Sequence, residues 1–149
     1  MIILDAGHGG FDPGGGSNIY FKEKDLTKKI TDYQFNRLNQ LGLPVQLVRK
    51  GDETLNPIMY DKVKGADYVM HEAFCLDSEE NIFHAYEKNH STAKSASEVM
   101  NKLDVKNLIL YHTEESHGTE RKKLYTKEGQ DNFNGNIIVP DDLETINVR

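Results

Sequence analysis

The stretch Ser91-Thr-Ala-Lys-Ser-Ala-Ser-Glu-Val-Met-Asn-Lys-Leu103, followed after a three-residue link by Asn107-Leu-Ile-Leu-Tyr111, decides the fold. In the first part Ala93, Ala96, Val99, Met100 and Leu103 recur at helical spacing, and Ser91 or Thr92 supplies a cap. The second part is a short apolar run that reads as a strand. Upstream, Asp67-Tyr-Val-Met70 reads as another such strand. Strand, helix and strand in succession make a unit whose strands run parallel.

The same alternation extends in both directions. Ile2-Ile-Leu-Asp5 is a first strand, and Phe11 to Ser17 is a loop rich in glycine and proline. From Lys24 to about Gln40, Leu26, Ile30, Tyr33, Leu38 and Leu41 recur near helical spacing, and Gly42 stops the helix. Pro44 to Val48 is a strand, and Pro57 to Lys64 is a short helix with Pro57 in its first turn. Thr119 to Phe133 is a polar helix. Asn136 to Val139 and Leu143 to Val148 are expected as two closing strands joined by a turn at Asp141-Asp142. The expected architecture is therefore α/β. It is one compact layered domain over 1–149, with a mostly parallel mixed sheet, helices on both faces and a C-terminal β-hairpin.

Composition narrows the function. The chain has 149 residues, 24 acidic against 18 basic, for a formal charge of -6. A net negative chain lacks the basic field that general nucleic-acid binding needs. No apolar run approaches the roughly 20 residues of a membrane helix. The start shows neither a basic n-region nor an h-region, so a cytoplasmic location is expected. The single cysteine, Cys75, excludes an internal disulfide and a cysteine-only zinc site. Arg121-Lys-Lys123 with Lys127 reads as a solvated basic face, and His84 and His117 as solvated histidines.

Of six histidines, His8 and His112 directly follow strands. Ligands of open α/β sheets collect beyond the carboxyl ends of the strands. Glycines around His8 allow a sharp turn and leave its imidazole open. Imidazole and carboxylate are zinc ligands.

These residues carry two resemblances. Ile3-Leu-Asp-Ala-Gly-His-Gly-Gly-Phe-Asp-Pro-Gly14, Glu23-Lys-Asp-Leu26 and Leu43 to Arg49 resemble the opening of zinc-dependent N-acetylmuramoyl-L-alanine amidases, so residues 1–49 read as an amidase-like half. The resemblance implies that His8 and Glu23 bind zinc. The family's third ligand, a histidine in a Ser-x-His-x-Asn strand end, and its late catalytic glutamate have no counterpart in the pattern.

Gly51-Asp52, Ala66-Asp-Tyr-Val-Met-His-Glu-Ala73, Asn89-His-Ser-Thr-Ala93 and Asn107-Leu-Ile-Leu-Tyr-His-Thr113 resemble the C-terminal half of metallo-β-lactamase-fold hydrolases of the ribonuclease Z type, making 50–149 a second half. This resemblance implies metal ligation by Asp52 and His112. It implies a catalytic pair of Glu72 and His90. The His-x-His-x-Asp-His motif that opens such sites is absent from the sequence. Two half-domains joined near Arg49–Asp52 suggest a deliberate chimera or a recombination product, with a zinc site and weak or no hydrolysis. The alternatives are a zinc amidase acting on peptidoglycan and a metal-dependent phosphodiesterase or nuclease. Convergence of His8, Glu23, Asp52 and His112 on one rim is expected if the halves share a sheet. An apolar face left open by the missing halves points to a homodimer.

Overall fold

The computed structural model describes residues 1–53 and 59–148. Pro57, expected to open a helix, lies outside the described residues. The chain is of the α/β class and forms two compact units, Met1–Lys62 and Val63–Arg149. Among the described residues no helix is long and apolar enough to cross a membrane.

In the first unit, β1 (Ile2–Leu4) pairs in parallel with β2 (Val45–Leu47), Ile2 opposite Val45. The helix between them is α1 (Glu23–Gln40). Its apolar stripe does not face the strands. Leu26, Ile30 and Tyr33 are 51%, 50% and 72% exposed, while Lys24 and Thr31 are buried. The buried face is held by polar bonds instead. Lys24 Nζ donates to Gly10 O at 2.7 Å, and the Thr27 hydroxyl to Gly7 O at 2.6 Å. Arg49, also buried, donates to Lys24 O at 3.2 Å and Gly51 O at 2.7 Å. These bonds replace the hydration that burying two cations removes.

A short helix, α2 (Met59–Val63), is followed by the elements of the second unit. Here β3 (Tyr68–Glu72), β4 (Asn107–Tyr111) and β5 (Asn136–Ile138) form a sheet in that order, parallel throughout. A single helical turn, α3 (Glu80–Phe83), precedes α4 (Ala93–Lys102), and α5 (Arg121–Asn132) links β4 to β5. Leu108 and Leu110 are fully buried against Ala93, Ala96 and Met100 of α4 and Tyr125 of α5. Burying one such leucine contributes about 1.5–3 kcal/mol. Of the two candidate caps, Thr92 is the one used. Ser95 N–H donates to its hydroxyl at 3.1 Å while Thr92 N–H donates to the Ser95 hydroxyl at 2.9 Å, a reciprocal capping box.

The C-terminal hairpin is a correction. β5 runs parallel to β4, and residues 143–148 form no strand. The turn is present, with Glu144 N–H donating to Asp141 O at 3.1 Å, but its acids belong to α5. Arg121 holds Asp141 at 2.8 Å and Lys122 holds Glu144 at 2.7 Å. Those ion pairs pull the tail onto the helix, and Leu143 is left fully exposed at positive φ. The basic face expected to be solvated is thus partly neutralised, Lys127 also pairing with Asp131.

Candidate functional site

In the second unit the parallel register sets Glu72 opposite Tyr111, so the chain leaves both strands at one edge. His112 is the next residue. It takes φ 56°, a left-handed conformation that a non-glycine residue rarely adopts and that clusters at functional sites. His90 arrives at the same edge just ahead of the α4 cap. Glu72 Oε2 lies 2.5 Å from His90 Nδ1 and 3.3 Å from His112 Nδ1, and Glu72 Oε1 accepts from Ser91 N–H at 2.8 Å. One carboxylate facing two Nδ1 atoms favours a proton on each. Burial pushes the Glu72 carboxyl up, but hydrogen bonds from His112, His90 and Ser91 outweigh it and hold it below the ordinary range. Among the described residues this is the group of three metal-capable side chains whose ligand atoms lie within 4.8 Å of one another.

In the first unit His8 also follows a strand and takes φ 63°. Its Nδ1 is 2.9 Å from Asp12 Oδ2, and its Nε2 is 3.6 Å from Glu23 Oε1. Two ligands at 2.0–2.2 Å on a tetrahedral zinc stand roughly 3.3–3.6 Å apart, so this pair fits two corners of such a site. Glycine builds the cradle. At Gly14 (φ 90°) a Cβ would fall 2.5 Å from Glu23 Cβ. Glu23 Oε2 is fixed by Gly16 N–H at 2.8 Å. At Asp12 burial raises the carboxyl, but the bonds from His8 and Gly14 N–H prevail and keep it low.

Asp52 is differently engaged. One oxygen accepts from Lys24 Nζ at 2.7 Å and the other from Gly10 N–H at 2.9 Å. His8, Glu23 and Asp52 therefore belong to one unit, while His112 lies in the other with Glu72 and His90. His112 joins the two residues expected to be catalytic, a grouping that the sequence pattern did not reveal. Asp12 was also missed. Its signal was a carboxylate four residues after a histidine within one tight loop, the kind of outer partner that orients a metal-binding imidazole. His117, expected in solvent, instead faces Glu79 at 2.9 Å with both side chains mostly buried.

Comparison with known proteins finds both resemblances. The chain is similar to ribonuclease Z of Myxococcus xanthus, 32% identical over 101 residues, covering 68% of this chain and 32% of the relative. Ribonuclease Z of Sulfolobus acidocaldarius is 27% identical over 140 residues, covering 71% of this chain and 47% of the relative. The chain thus spans about a third and just under half of the lengths of these relatives. A family model for N-acetylmuramoyl-L-alanine amidase matches residues 2–120, well past the residue 49 at which the sequence pattern placed the end of the amidase-like half. A match of that extent makes the chain a member of the N-acetylmuramoyl-L-alanine amidase family.

Proposed function

We propose that the protein is a zinc-binding chimera of two hydrolase halves, with weak or no catalysis. The observation that carries this reading is the approach of Glu72, His90 and His112 ligand atoms to within 4.8 Å. His112 and His90 offer imidazole nitrogens there and Glu72 a carboxylate oxygen. His8 and Glu23 offer a second, two-ligand point in the first unit, with Asp12 orienting His8. Asp52, with Lys24 and Gly10 on its two oxygens, is assigned to holding the glycine loop rather than to ligation. Bound zinc would supply Lewis acidity and lower the pKa of a water on it. Neither cluster holds the complete ligand set of its parent family, which is why turnover is assigned as weak.

The test is zinc loading of the purified chain followed by metal analysis and melting. Retained zinc and a rise in Tm, diminished in His112→Ala and His8→Ala, support the reading. A chain that holds no zinc and melts identically in all three forms refutes it.

Two specific observations favour active alternatives. Family membership favours a zinc amidase on peptidoglycan, read by dye release from labelled cell walls. The 2.5 Å Glu72–His90 pair favours phosphodiester hydrolysis, with the carboxylate keeping a proton at His90 Nδ1 so that Nε2 acts as base. Cleavage of a simple phosphodiester that disappears in His90→Ala would select it. A homodimer is also proposed, supported by the exposed Leu26, Ile30 and Tyr33 stripe and tested by sedimentation.

A further inference from the structure

The ring of Phe74 sits among the groups of the second unit's site and has no part in the reading above. Its backbone is fixed on both sides. Phe74 N–H donates to Ser91 O at 2.8 Å, and Phe74 O accepts from Glu114 N–H at 2.9 Å and from the Tyr125 hydroxyl at 3.2 Å. Tyr125 itself is fully buried, so the anchor is rigid. From that anchor the ring stacks on His90, with centroids 4.6 Å apart and planes 23° apart. It tilts against His112 at 5.8 Å and 50°. Phe83 meets it edge-on at 6.1 Å, closing another side. The two imidazoles are 5.2 Å apart and nearly perpendicular.

A hydrogen bond at Nδ1 alone leaves an imidazole free to swing about that contact. Glu72 gives each ring one such contact. Phe74 adds a constraint on the plane of each ring, face to face on His90 and tilted on His112. We infer that Phe74 is a positioning residue of the Glu72–His90–His112 site, an aromatic platform that holds both imidazole planes and so sets the direction of the ring nitrogens they offer a divalent metal. This rests on the zinc reading of the second unit. Stacked aromatic pairs contribute through geometry as well as area, and outer partners that orient metal-binding histidines change affinity by 10–100-fold when lost.

The experiment compares the parent chain with Phe74→Leu, which keeps bulk and loses the flat face, and Phe74→Tyr, which restores it. Zinc affinity is measured by chelator competition, the Co2+ absorption spectrum reports ligand geometry, and far-ultraviolet circular dichroism checks folding. Phe74→Leu is expected to fold, to bind zinc about tenfold more weakly and to show an altered Co2+ spectrum, with Phe74→Tyr near the parent in both. Unchanged affinity and spectrum in a folded Phe74→Leu, or a Phe74→Tyr as impaired as the leucine variant, overturn the inference. If the parent itself binds no zinc, the metal reading fails and the platform is read in the metal-free protein. His90 ring-proton resonances, shifted upfield by the stacked ring, should move downfield in Phe74→Leu and return in Phe74→Tyr. Resonances that stay in place overturn the platform.

Discussion

Replacing Glu72 by alanine removes the group on which three donors of the second unit meet. The lost bonds are those from His90 Nδ1 at 2.5 Å, Ser91 N–H at 2.8 Å and His112 Nδ1 at 3.3 Å. A hydrogen bond to a charged group is worth about 1.5–3 kcal/mol net. The long bond to His112 counts for little, since that side chain is 54% exposed and water can replace the carboxylate. The two short bonds count at the low end, because Glu72 is itself 21% exposed. The expected loss is therefore about 3 kcal/mol, which for a chain of this size lowers Tm by roughly 6–12 °C.

The pH dependence gives the sign independently. The folded-state carboxyl titrates below its ordinary value of 4.5, so its contribution is present above that value and is lost as pH falls through the folded pKa. The gap between parent and Glu72→Ala should be widest near neutrality and should narrow below pH 4.5. Thermal and urea unfolding followed by circular dichroism across pH 3–8 measures both. A variant within ~0.5 kcal/mol of the parent at pH 7, or a gap that widens in acid, refutes the argument that the carboxylate organises this edge.

Three further outcomes follow from other places in the molecule. Thr92→Ala breaks the reciprocal cap of α4 and should cost about 0.5–2 kcal/mol in urea unfolding, while Thr92→Ser restores most of it. Cys75 is fully buried, and burial with the nearby Glu79, Glu80, Glu128 and Glu114 charges pushes its thiol up to about 11. Alkylation at pH 8 should therefore be negligible in the folded protein and rapid in urea, and prompt labelling without denaturant would contradict this burial. Gly14→Ala forces a side chain into a left-handed backbone and against Glu23, so it should destabilise the first unit by about 1–3 kcal/mol and weaken metal retention there. Equal stability and zinc content in that variant would show that the glycine cradle is not what fixes Glu23.

Periodicity and turn chemistry alone determined the α/β class, the α4–β4 unit and the strand-end positions of His8 and His112, and the quoted motifs carried both family resemblances. These depend on neighbours in the sequence, where spacing maps directly onto a helix face or a strand. Other features depended on competition between surfaces far apart in the chain. Leu143 to Val148 has a strand-like pattern, yet Arg121 and Lys122 take its acidic turn onto α5. The apolar stripe of α1 looks like a core face, yet Lys24 and Thr31 are the residues buried, because Gly10 and Asp52 satisfy the ammonium. The grouping of His112 with Glu72 and His90 follows from strand register, which places Glu72 beside Tyr111 across 39 positions of sequence. Phe74 had no signal at all, since stacking depends on where three separate loops bring their rings, and only the folded chain fixes that.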